Sequence, residues 1–179
     1  MHSHQHRRIE GLKHAAPLSV RPPCIPAPVR PRGAKAAGLR FEKALHRALP
    51  SSIHGQWFVF EDASGFGYCQ TDLILPMERW KGDEYGLYVV IECKYTLVPG
   101  AHSKLCSLYI PVVEAAFDRH ACGVVIVKNL DPRFRRGRIY TDLRLAAEAA
   151  WMTGYPTLLQ WSGQPLMHQS GALHSKRAA

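Results

Sequence analysis

The sequence predicts an α/β domain, a mixed central sheet flanked by helices in the order αβββαβ. Three observations carry this. Residues 122–128 (CGVVIVK) are a short, nearly all-apolar run of the kind that forms a strand buried on both faces. A second such run, Val89-Val90-Ile91, lies some thirty residues earlier. Between them Leu105, Leu108, Val112, Ala115 and Ala116 recur at helical spacing over residues 103–120. A helix joining two buried strands reads as a crossover, right-handed where the strands are parallel. The shorter connections before residue 96 favour antiparallel neighbours instead.

The chain has 179 residues, which suits one domain with an extension, and 46% hydrophobic residues suffice for a full core. The formal net charge of +9 and an isoelectric point near 9.6 favour a polyanionic partner, nucleic acid or anionic lipid. No run of about 18 apolar residues occurs, so no membrane span is expected, and residues 1–20 lack a signal peptide's apolar core. The five cysteines, Cys24, Cys69, Cys93, Cys106 and Cys122, are odd in number and contain no C-x-x-C pair. They are expected to be reduced, packed thiols and no zinc or iron–sulfur site. The expected location is the cytoplasm: nucleoid-associated in a bacterium, host cytoplasm for a virus.

Residues 1–37 read as a basic, disordered arm. Pro17, Pro22, Pro23, Pro26, Pro28 and Pro31 oppose helix and ladder formation. Seven Lys/Arg against one Glu give this arm +6 of the total charge. It serves as a phosphate-contacting tail, a linker or a solubility tail. His2, His4 and His6 alternate near its start as solvated tail.

The domain proper is expected over residues 38–165. Residues 38–49 read as a helix with Phe41, Leu45, Ala48 and Leu49 on one stripe, stopped by Pro50, and Glu42 lies beside that stripe. Residues 56–61 (QWFVFE) and 68–75 are β-rich and flank the turn chemistry of residues 62–67, with Pro76 bounding the second strand. Residues 77–85 are a turn that returns the chain as the strand 86–96. Residues 97–102 are a loop, and Pro111 should bend or split the helix that follows. Residues 131–138 form a basic loop in which Arg133, Arg135, Arg136 and Arg138 offer phosphate contacts and Phe134 a base contact; a merely solvated loop is the alternative. A helix over 141–154 with Thr141 as N-cap, a strand over 156–161 and a polar tail over 166–179 complete the reading.

Two positions break the expected strand composition. Asp72 interrupts a β-friendly run, and Glu92 and Lys94 lie inside the apolar strand Val89-Val90-Ile91-Glu92-Cys93-Lys94-Tyr95. Alternation places Glu92 and Lys94 on one face, with Val89, Ile91 and Cys93 on the other. Charges in a buried strand need compensation, so the readings are a structural ion pair, an edge strand with one wet face, or a site. An antiparallel hairpin brings Asp72 beside Glu92.

Helix with Glu42, strands with Thr71-Asp72 and then Glu92-Cys93-Lys94, helix, buried strand: over residues 38–128 this order resembles the PD-(D/E)XK nuclease superfamily, with its restriction-endonuclease-like fold. Thr71 stands where that motif usually has proline. The following helix has no clear glutamine of the kind seen in some exonuclease branches, and Lys104 or Tyr109 stands in its place. The resemblance implies a metal-dependent DNA endonuclease, a phosphodiester hydrolase.

The chemistry agrees with it. Phosphodiester hydrolysis needs an activated water, charge relief on the phosphate and help for the leaving oxygen, all of which a divalent metal supplies. Mg²⁺ prefers oxygen ligands, with Mn²⁺ expected to substitute. Asp72, Glu92 and the Cys93 backbone carbonyl are the expected ligands, with Glu42 taking a second metal or a water of the first. Lys94 is placed to orient the attacking water or neutralise the phosphate, and Lys104 to contact nucleic acid. DNA is the expected partner, with a junction or branch as substrate by fold analogy, as a homodimer or within a larger DNA-processing complex. The alternative is a module that keeps the fold, binds nucleic acid and does not cleave.

Overall fold

A computed structural model describes residues 9–26, 31–77, 86–97, 100–130 and 138–167. In chain order the elements are β1 (His14–Leu18), α1 (Gly33–Ala48), β2 (Ile53–His54), β3 (Trp57–Asp62), β4 (Gly65–Gln70), β5 (Leu73–Met77) and β6 (Leu87–Thr96). Then come α2 (Ala101–Lys104), a π-helical turn (Leu105–Tyr109), α3 (Ile110–Phe117), β7 (Ala121–Asn129), β8 (Ile139–Tyr140), α4 (Leu143–Thr153) and β9 (Thr157–Gln160).

A six-stranded sheet in the order β2-β5-β6-β7-β9-β8 is the centre of the molecule. Its β2–β5–β6 part is antiparallel and its β6–β7–β9–β8 part parallel, so the sheet is mixed as expected. On one face Phe41 and Leu45 of α1 and Ala146 and Ala147 of α4 pack against Val89, Ile91 and Cys93. On the other, Leu105, Val112 and the small sheet's Phe58 and Phe60 pack against Val90, Val125 and Val127. Both faces of β6 and β7 are therefore covered, which is why these strands read as continuous apolar runs.

The small sheet, in the order β1-β3-β4, corrects two expectations. Part of the proline-rich arm is a strand: His14–Leu18 pairs antiparallel with β3, and Ala15 is buried. Pro17 is tolerated because β1 is an edge, where a strand bonds on one side only. The run 68–75, expected as one strand, is two strands in different sheets. The chain crosses between them at Thr71-Asp72, where the Thr71 amide donates to the Gln56 carbonyl and the Gly55 amide to the Asp72 carbonyl, at 3.0 and 2.9 Å. Pro76 lies inside β5 rather than beyond it, at a position with no β2 residue opposite.

The helix expected over 103–120 spans Ala101–Phe117 and carries its π turn just before Pro111. Pro111 has no N–H to give to the Ser107 carbonyl. The backbone N–H of Ile9 donates to that carbonyl at 3.0 Å, so the N-terminal segment occupies the gap that the proline leaves. Asp118, at φ 51°, ends the helix in the left-handed region.

The cap of α4 is also corrected. Asp142, not Thr141, is the N-cap, its Oδ1 accepting from the Leu145 amide at 2.9 Å. Asp142→Ala is expected to cost about 1 kcal/mol in urea unfolding, and Thr141→Ala almost nothing. The tail expected from residue 166 begins with a core residue: Leu166 is buried, and its carbonyl accepts from the Leu143 amide at 2.7 Å. Among the described residues no helix is long and apolar enough to cross a membrane.

Candidate active site

The site forms where β5 and β6 run side by side. Leu73 pairs with Ile91, so the residue before β5, Asp72, falls beside Glu92. Asp72 Oδ2 accepts from the Cys93 amide at 2.7 Å, which ties the carboxylate to β6. In an extended strand a residue's N–H and C=O point to the same side, so the Cys93 carbonyl is directed past the start of β5, beside Asp72.

Glu92 has no exposed surface. Its Oε1 takes two ammonium groups, Lys94 Nζ at 2.5 Å and Lys104 Nζ at 3.4 Å. Its Oε2 is buried and has no hydrogen-bond partner. Lys104 comes from the end of α2, and its Nζ also lies 4.4 Å from the centre of the Tyr109 ring. Both lysines keep about a quarter of their side chains in solvent, so the cationic side of the site is open.

The electrostatics follow from two carboxylates sharing one partly buried place. Burial first, and the neighbouring Glu92 next, push the Asp72 carboxyl up to about 7, against the opposing pull of Lys94 and the Cys93 N–H. Burial alone would lower Lys94, but Glu92 and Asp72 outweigh it and hold the ammonium above its ordinary value. Lys94 is therefore a cation at neutral pH, not a base. Burial, then Glu92 and Asp72, keep the Tyr109 phenol far up its scale and neutral.

A carboxyl with a raised folded value keeps a proton that the unfolded chain has already released. Folding stability thus falls as pH rises from 3.8 toward about 7 and is level above. Thermal melts in chelator should show Asp72→Asn more stable than the parent at pH 8, with the gap closing by about pH 4. A parent melt that rises steadily across this range would contradict the assignment.

Glu42 does not join the other two acids as a ligand. Its Oε1 is engaged by His54 Nε2 at 2.7 Å. His54 stacks on His46 at 5.0 Å, and His46 Nδ1 lies 3.0 Å from the Ser52 hydroxyl. Glu42 still sits near enough to raise Asp72 electrostatically. The histidine pair is a feature that the sequence reading missed. Ile53-His54 forms a two-residue strand on β5, and His54 and His46 are eight residues apart, so no local spacing marks them.

Among the described residues no group of three His, Cys, Asp or Glu side chains stands close enough to hold a metal ion. What the geometry offers is two carboxylates, one with an unsatisfied buried oxygen, and the Cys93 carbonyl. That set fits Mg²⁺, which binds few protein oxygens and keeps several waters. It does not fit a metal that needs three protein side chains.

Arg133, Arg135 and Arg136 lie outside the described residues. Arg138 is described and is not at the site. It precedes β8, three strands away from β6, about 14 Å at sheet spacing, with its guanidinium 5.0 Å from the Tyr140 ring centre. Comparison of the chain with protein-family models, with curated proteins and with solved structures finds no match. Two clefts among the described residues, of about 300 and 290 Å³, lie elsewhere: neither is lined by Asp72, Glu92 or Lys94. Three thiols, Cys69, Cys93 and Cys122, are buried, and burial pushes each upward, Cys69 and Cys122 to about 12, so they pack and do not react.

Proposed function

We propose that this protein is a Mg²⁺-dependent deoxyribonuclease of the PD-(D/E)XK type, with a restriction-endonuclease-like core formed by α1, β2, β5, β6, α2–α3 and β7. One observation carries the reading: Glu92, fully buried, presents an oxygen with no partner beside a second carboxylate that keeps its proton to about 7. Burying an anionic oxygen unpaired is costly, and two adjacent carboxylates repel. A divalent cation relieves both costs.

Asp72, Glu92 and the Cys93 carbonyl would hold the ion. When bound, it supplies charge relief on the scissile phosphate and an activated water. The remaining work falls to the chain. The Cys93 amide fixes the Asp72 carboxylate in direction. Glu92 anchors Lys94 and Lys104 so that two ammonium groups stand at the solvent side of the site, where a phosphate arrives. Lys94, held protonated, neutralises charge developing on phosphate oxygen or gives a proton to the leaving oxygen. The Tyr109 ring supports Lys104 through a cation–π contact. Glu42, held by His54, acts through the field it places on Asp72.

The test is a set of labelled DNAs: linear duplex, single strand, nicked, forked and four-way junction, each with Mg²⁺, with Mn²⁺ and with chelator. Cleavage that requires metal on at least one substrate supports the proposal. No cleavage of any of them, by folded protein that binds them, overturns it in favour of a binding module of the same fold. One feature favours that second reading: Glu42 is taken by His54, and among the described residues no third acid completes the pair. The module would bind DNA equally well after Asp72→Ala.

A further inference from the structure

The outer face of the small sheet presents two aromatic rings, Phe66 and Tyr68, to solvent. Antiparallel register places Trp57 opposite Gln70, Val59 opposite Tyr68 and Glu61 opposite Phe66, all on this face. Phe66 is 71% and Tyr68 43% exposed, although the opposite face of the same strands is core, with Phe58 and Phe60 buried. Gly67, between the two rings, has no side chain because the Phe60 ring fills that space: a Cβ there would lie 2.5 Å from it. The Phe60 ring thus fills the inner side of β4 at Gly67, and Phe66 and Tyr68 on either side of it are displayed to solvent.

The charge on this face is positive or neutralised. Arg21 lays its guanidinium 5.6 Å from the Trp57 ring centre, and its Nε is buried without a hydrogen-bond partner. The acid opposite Phe66, Glu61, is engaged by Lys13 at 3.0 Å. Both cations come from the segment that forms β1, within the part of the chain that carries seven Lys/Arg against one Glu. Side chains at alternate positions of a strand stand about 7 Å apart, roughly twice the spacing of stacked bases, so each ring takes one face of a splayed base.

We propose that the β3–β4 face is a stacking platform for unpaired nucleobases of a single-stranded nucleic acid, with Phe66 and Tyr68 beneath successive bases and Arg21 toward the phosphate backbone. Exposed aromatic rings interleaved with cations suit this ligand, because every base has a π face and every linkage an anion. β4 ends at Gln70, two residues before Asp72, so a strand lying along it leads toward the carboxylates. The platform rests on the sheet face and not on the nuclease reading. A binding assay in chelator separates the two.

The experiment measures fluorescence anisotropy of labelled dT15 and rU15, and of a blunt duplex of equal length, with the full chain in chelator at low salt. Phe66→Ala and Tyr68→Ala are each expected to weaken single-strand binding roughly tenfold, and the double variant further, with duplex binding nearly unchanged. Phe66→Trp should restore or tighten it. Both side chains are exposed, so the melting temperature should hold. Loss on either single strand supports the site, and the larger loss tells deoxyribose from ribose. Single-strand affinity unchanged in the double variant overturns it. So does a double variant that turns a sedimenting dimer into monomer with oligonucleotide affinity intact, since the face would then be a self-association surface.

Discussion

Glu92→Gln is expected to reduce metal-dependent cleavage by about a thousandfold or more, while the melting temperature in chelator stays near that of the parent. The substitution keeps shape and volume in a position with no solvent exposure. What it removes is the negative charge. The unsatisfied Oε2 is then no longer an anionic ligand, and Lys94 and Lys104 lose the partner that gathers them. Lys94→Ala should fall by about a hundredfold to a thousandfold, because it removes one positive group and leaves both carboxylates. Glu42→Gln should fall less than either, since Glu42, held by His54, reaches the site only through the field it places on Asp72. Steady-state cleavage of the best substrate in Mg²⁺ measures all three. A Glu92→Gln enzyme within tenfold of the parent would remove Glu92 from the chemistry and with it the proposed reaction.

Deleting residues 1–18 is expected to destabilise the domain by more than about 3 kcal/mol in urea unfolding, far more than loss of a disordered tail would. The segment contributes the whole of β1, whose five residues pair with β3 from His14↔Glu61 to Leu18↔Trp57. It also supplies the Ile9 N–H that satisfies the Ser107 carbonyl opposite Pro111. Without it, that carbonyl and the edge of β3 are left bare, and α3 loses the cover of β1. Deletion of residues 1–8 alone, which keeps Ile9 and β1, is the control and should cost far less. Equal stability of the two truncations would show that β1 contributes nothing to the fold.

The two predictions test different levels of the same architecture. The first concerns charges that the sheet concentrates, and the second concerns how the sheet's companion is built. Lys104 connects them: it stands at the end of α2, just before the π turn, and the N-terminal segment docks three residues further along the same helix at Ser107. Loss of β1 should therefore disturb Lys104 as well as the small sheet.

Read from the sequence alone, the α/β class, the mixed sheet and its crossover helix were legible, because buried strands and amphipathic helices impose periods that no tertiary context is needed to see. The anomaly at Asp72, Glu92 and Lys94 was legible for a related reason: charges inside β-prone runs contradict local propensity, and only a compensating environment explains them. Local pattern did not carry the partners that arrive from far along the chain. The pairing of Glu42 with His54, the second ammonium from Lys104 and the departure of Arg138 to the far edge are set by strand order, which no spacing encodes. The proline-rich segment misled because its prolines do oppose structure in isolation. Only the packed molecule offers β1 an edge to pair with and Ile9 a carbonyl to meet.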